Sequence, residues 1–87
     1  MKPFIVLIPG MMCNRDVFSY QINVLEKFFN VIVKEFNEHR DIELGVKNLA
    51  SNLPSRFHVL GHSMGGIVAM EFVKQHSKRV LSLALLN

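Results

Sequence analysis

Ser63 stands in the stretch Gly61-His62-Ser63-Met64-Gly65-Gly66, one hydroxyl set between glycines. The pattern G-x-S-x-G carries chemical meaning only where a strand runs into it and a helix leaves it. In that setting the turn is tight, the serine backbone is strained, and Oγ projects away from the sheet. Side chains two residues before and two after the serine would crowd one another, which glycine at 61 and 65 avoids. An Oγ presented in this way can attack an acyl carbon, and charge then develops on the former carbonyl oxygen. The Met64 backbone N–H, at the positive end of the following helix, points to where that oxyanion would sit. A second N–H must come from an adjacent loop. In "PGMMCN", residues 9–14, Gly10 permits close backbone approach, and the Met11 N–H is the first candidate with Met12 as the second. The plainer alternative is a glycine-rich strand-to-helix turn with no chemistry. A phosphate loop is disfavoured, because neither G-x-x-x-x-G-K-[ST] nor G-x-G-x-x-G occurs.

A serine hydroxyl needs a base to take its proton and a third group to orient that base. The four histidines do not supply one. At about 1.5 Å per helical residue, His76 lies roughly 18 Å along the axis from Ser63 and suits the last helical turn instead. His62 adjoins Ser63, but the turn directs its side chain elsewhere; it is a candidate for substrate contact and not for the base. His58 falls in a strand and reads as a core or helix-facing residue, and His39 as a loop or cap residue. Cys13, next to the presumed oxyanion loop, is a second candidate for substrate contact, though "CN" carries no nucleophile motif and a pocket-lining or buried thiol is its simpler role. No histidine pair with a carboxylate has zinc-like spacing, so no metal or organic cofactor is expected.

The elements that must position these residues follow from apolar patterning. "FIVLI", residues 4–8, is a continuous apolar run between prolines and suits a strand buried on both faces. A helix is predicted from Asp16 to about Phe28 with Val17, Tyr20, Val24 and Phe28 as its stripe, then a strand centred on residues 31–33 that could extend to Phe36. A second helix is predicted over 41–53, with Val46, Leu49, Ala50 and Leu53 inward and Pro54 ending it. Strand 57–60, helix 65–75 with Ile67, Met70, Phe72 and Val73 as apolar contacts, and strand 80–86 complete the chain. Such alternation predicts an α/β fold, a parallel sheet with helices on both faces.

The totals narrow the function further. The chain has 87 residues, enough for one domain. Ten Lys and Arg against seven Asp and Glu give a mild, scattered +3, and with one Tyr and no Trp there is no sign of nucleic-acid binding. A single cysteine suits a reducing compartment, and the five apolar residues between Pro3 and Pro9 are too few for a secretory h-region or a membrane span. The expectation is a cytoplasmic protein.

With "GHSMGG" on its flanking strand as the specific part, the chain resembles the α/β-hydrolase superfamily from "FIVLIPG" to "LALLN". The resemblance implies that Ser63 is the nucleophile, that Met64 and Met11 are the backbone oxyanion donors, and that the substrate is a small ester or thioester. It also implies that the four strands correspond to the family's third to sixth. Their order would then place "FIVLI" beside "FHVL", with "VIV" outside the first and "LSLALLN" outside the second. Pro9-Gly10 stands where the family more often has His-Gly, which changes a side chain and not the donor. The family's acid follows one further strand and its histidine the last strand. Residues 1–87 are therefore expected to form the N-terminal part of one hydrolase domain, inactive alone, with strand 80–86 at an open edge prone to self-association. The alternative is a non-catalytic truncated product or binding module.

Overall fold

The computed structural model describes residues 2–10, 13–36 and 41–86. Strands β1 (Phe4–Ile8), β2 (Asn30–Val33), β3 (Phe57–His62) and β4 (Val80–Leu86) form one sheet in the order β2-β1-β3-β4, every pair parallel. Each of the first three strands is followed by a crossover, and the three intervening helices are α1 (Ser19–Leu25), entered through a 3-10 turn at Arg15–Phe18, α2 (Ile42–Ala50) and α3 (Gly65–Gln75). Helices therefore cover both faces of a parallel sheet, as the alternation predicts.

The unbroken apolar run of β1 is explained by its central place. Val6 and Ile8 join Val46, Val68, Ala69 and Phe72 under α2 and α3, while Ile5 and Leu7 join Phe18 and Ile22 under α1. Successive strand side chains point to opposite faces, so a strand covered on both sides has no polar position to spare.

The predicted stripe of the first helix is offset by one residue. Tyr20 and Phe28 are 76% and 63% exposed, and Val17 and Val24 are also exposed. Phe18, Ile22, Leu25 and Phe29 face the sheet instead. Both series satisfy helical spacing, but the second holds two phenylalanines, a leucine and an isoleucine, so burying it removes more apolar area from water. The helix is also shorter than predicted. Asn14 caps the 3-10 turn through Oδ1, which accepts from the Asp16 N–H at 2.9 Å.

Asp41 caps α2, its Oδ1 accepting from the Leu44 N–H at 2.9 Å, and the helix stops at Ala50, three residues before the predicted end. The last turn tightens, with the Asn52 and Leu53 amides donating to the Leu49 and Ala50 carbonyls, and Arg79 binds the carbonyls left there. Its Nη2 donates to the carbonyls of Ala50, Leu53 and Pro54 at 3.0, 3.1 and 2.7 Å, and its guanidinium lies 5.6 Å from the centre of the Phe57 ring. One cation thus binds the end of α2 to the approach of β4. On α3, Val68, Ala69 and Phe72 are buried, whereas Ile67 and Met70, expected in contact, are exposed.

Strand β4 is an edge with a register shift opposite Phe57/His58. Val80 pairs with Phe57 and Ser82 with His58, so Leu81 is the extra residue. A bulge of this kind re-aims the side chains that follow it. Ser82 consequently meets the His58 ring, Oγ to Nδ1 at 2.6 Å, and Leu85 reaches toward Gly66 on the opposite face.

Candidate active site

The end of β3 and the start of α3 meet at Ser63, whose φ of 57° is the one positive value at a non-glycine among the described residues. An L-residue in that left-handed region is strained. The surrounding backbone enforces it. A Cβ on Gly61 would lie 2.6 Å from the Gly66 Cα and run into the Gly65 carbonyl, and a Cβ on Gly65 would strike the carbonyls of Ile8 and Pro9. Neither residue could be anything else without moving β1 or α3. The Ser63 N–H donates to the Leu86 carbonyl at 2.8 Å, so the neighbouring edge strand also holds the turn.

Helix α3 begins at once. Met64 is its helical N-cap residue (φ −60°, ψ −25°), and the Gly66 and Ile67 amides donate to the Ser63 and Met64 carbonyls at 2.9 and 3.1 Å. Among the described residues no backbone carbonyl accepts the Met64 N–H. Ser63 and Met64 are both exposed. The loop after β1 lies against the same turn: a Cβ on Gly10 would be 3.3 Å from the His62 carbonyl oxygen, 3.4 Å from the Ser63 Cβ and 3.7 Å from the Met64 nitrogen. The Cys13 N–H donates to the Gly10 carbonyl at 3.0 Å, closing that loop, and the thiol is half-buried. Met11 and Met12 lie outside the described residues, as does His39.

The other histidines go elsewhere. His62 is half-buried with its ring edge-on to Phe18, centroids 5.9 Å apart at 80°, and its buried Nδ1 has no partner among the described residues. His58 lies at the far end of β3, held between Ser82 and the Phe29 ring at 5.4 Å. His76 is the C-cap of α3, its ring tilted 43° to that of Phe72 with centroids 6.5 Å apart. None of the described histidines hydrogen-bonds Ser63. Two participants escaped the sequence reading, the Leu86 carbonyl under Ser63 and the Phe18 ring under His62. The first depends on the β4 register after its bulge, which no local pattern reveals.

Residues 39–87, more than half of the chain, match the family described as alpha/beta hydrolase fold. The chain belongs to that family. A solved structure, a marine microorganism esterase, superposes on 98% of this α/β-hydrolase chain with a TM-score of 0.80 at 23% identity. The likeness is one of fold, and the superposed part is 37% of the esterase chain. No curated protein matches the sequence. Among the described residues of this α/β-hydrolase-fold chain, no helix is long and apolar enough to cross a membrane.

Proposed function

We propose that this chain carries the nucleophile half of a serine hydrolase that acts through an acyl-enzyme on Ser63. The observation that carries the reading is the strained, exposed Ser63 at a strand-to-helix turn whose flanking glycines admit no side chain. Oγ attacks the acyl carbon of an ester or thioester while a base takes its proton. The oxyanion is met by the Met64 N–H and by a second N–H from the loop after Gly10, with Met11 the first choice and Met12 the second. Collapse of the tetrahedral intermediate expels the alcohol or thiol with a proton, and water then releases the acid. No organic cofactor or metal enters these steps. The base and the acid that orients it are not among the described histidines, each of which has another place. Cys13, half-buried on the loop after Gly10, is the candidate for substrate contact, whereas the His62 ring is turned toward Phe18.

Ser63→Ala in the protein that carries the whole domain abolishes covalent labelling by a fluorophosphonate; retained labelling overturns the reading. The absence of a histidine bonded to Ser63 among the described residues favours a second reading, a non-catalytic product of 87 residues. The intact mass of the protein captured from its native source decides between them. A mass of 10.0 kDa supports the non-catalytic product, and a larger one supports the hydrolase.

A further inference from the structure

Leu85 is half exposed on the edge strand, a place where a single leucine ordinarily holds nothing. Its contacts are different. Leu85 Cδ2 lies 3.2 Å from where a Gly66 β-carbon would stand, so the side chain rests on the first turn of α3. The Gly66 N–H donates to the Ser63 carbonyl at 2.9 Å, and the Ser63 N–H donates to the Leu86 carbonyl at 2.8 Å. Both backbone polar groups of Ser63 therefore lead to the last two described residues of β4, the N–H directly and the carbonyl through Gly66. A left-handed residue with a β-carbon persists only where its surroundings over-determine it, and these two ties act on either side of the φ of 57°. The bulge at Leu81 makes the arrangement possible. Before it Phe57 pairs with Val80, and beyond it Gly61 pairs with Leu85 and His62 with Leu86. Without the extra residue His62 would pair with Leu85, and the Leu85 side chain would turn to the α1 face, away from Gly66.

We propose that Leu85 is a positioning residue that holds the turn at Ser63 by bearing on Gly66. Its link to chemistry rests on the reading that Ser63 is the nucleophile. The mechanism is mechanical. With the side chain in place, the first turn of α3 cannot settle toward the edge strand, and the Ser63 backbone keeps both of its partners. An unbranched apolar chain of similar volume can fill the role, because the contact is one of packing. A truncated one cannot, because it leaves Gly66 without a support on the β4 side.

The test is amide hydrogen exchange at the Ser63 N–H in the protein as its native source makes it, together with the rate at which a fluorophosphonate labels Ser63. Leu85→Ala is expected to speed exchange at Ser63 by about tenfold or more and to slow labelling. The Phe57 N–H, bonded to the Arg79 carbonyl at the start of the same strand pair, keeps its protection. Leu85→Met restores both exchange and labelling. Leu83→Ala removes the same side chain from the same face two residues earlier, where it does not meet the Gly66 β-carbon position, and leaves Ser63 unchanged. Unchanged exchange at Ser63 in Leu85→Ala overturns the inference, as does failure of Leu85→Met to rescue. Equal acceleration at Phe57 or in Leu83→Ala also overturns it, since either marks a loosened edge strand. Faster exchange with unchanged labelling shows that the turn moves without consequence for Oγ, and that too overturns it. Absence of labelling in the wild-type protein sinks the nucleophile reading instead, while exchange still decides whether Leu85 holds the turn.

Discussion

The Gly65 Cα lies so close to the end of β1 that a β-carbon on it would overlap the Ile8 carbonyl oxygen and fall 2.8 Å from that of Pro9. Ile8 is fully buried in the middle of the sheet, so the obstructing group is backbone that cannot retreat. The glycine is there because α3 is packed directly over β1 at the point where the turn at Ser63 ends. Gly65→Ala is expected to destabilise the chain by about 3 kcal/mol or more, the range of severe core overpacking. Gly66 makes the contrast. A β-carbon there meets only the Leu85 Cδ2 at 3.2 Å, the far end of an exposed side chain. Gly66→Ala removes a flexible residue from the first turn of a helix and should change stability by no more than about 1 kcal/mol, in either direction. Paired thermal melts of the two variants check the difference.

Strain at Ser63 has its own signature. Its φ of 57° is costly for any residue with a β-carbon, and alanine has one as surely as serine does. Ser63→Ala therefore leaves the strain in place, whereas Ser63→Gly relieves it. The glycine variant should exceed the alanine variant in unfolding free energy by about 1 kcal/mol. Urea titration of both measures this, and equal midpoints would mean that the turn holds no stored strain.

Much of the architecture was legible in the sequence because the physics behind it is local. The run Phe4–Ile8 leaves no polar position, which a strand covered on both faces demands, and the elbow glycines announce a turn where no side chain fits. The limits α3 65–75 and β4 80–86 agree with the structure for the same reason. The failures arise where two local solutions compete and tertiary contact decides. Val17/Tyr20/Val24/Phe28 and Phe18/Ile22/Leu25/Phe29 are equally periodic, and only the area available under β1 selects the second. The end of α2 is bound by Arg79, a residue 29 positions away from Ala50. At the site, Ser63 and its glycines could be read directly, but the Leu86 carbonyl that holds the Ser63 N–H could not. That contact exists only after a bulge at Leu81 has shifted the register of β4.

Arg79 supplies the third prediction. Its guanidinium donates to four carbonyls, those of Ala50, Leu53, Pro54 and Ser55, and covers the Phe57 ring. Removing it leaves the part-buried Leu53 and Pro54 carbonyls without this donor, while the Ala50 carbonyl keeps the Leu53 N–H. Arg79→Ala is expected to cost about 2–4 kcal/mol, given about 1–3 kcal/mol for each group left unsatisfied and partial recovery by water. Lysine keeps the charge but not the planar fork, so Arg79→Lys should recover less than half of the loss. Chemical denaturation of the three proteins tests this, and full recovery with lysine would show that charge alone matters.

The last prediction concerns the edge of the sheet. Strand β4 is seven residues long and pairs only with β3, and Leu81, Leu83 and Leu85 are 45, 38 and 50% exposed. Long apolar edges of this kind are templates for pairing with another chain. The 87-residue chain prepared alone should therefore sediment as species heavier than 10.0 kDa, with the fraction rising with concentration. A charge on the edge opposes such pairing, because a second strand would have to bury it. Leu83→Lys is the informative change: Leu83 pairs with Val59 in the middle of β4, well away from Ser63, and its side chain is already part-solvated. Sedimentation velocity on this variant should show the 10.0 kDa species restored with the sheet's circular dichroism unchanged. A wild-type chain that remains monomeric at high concentration would instead mean that β4 is protected by its bulge, whose local twist turns the edge away from a flat partner.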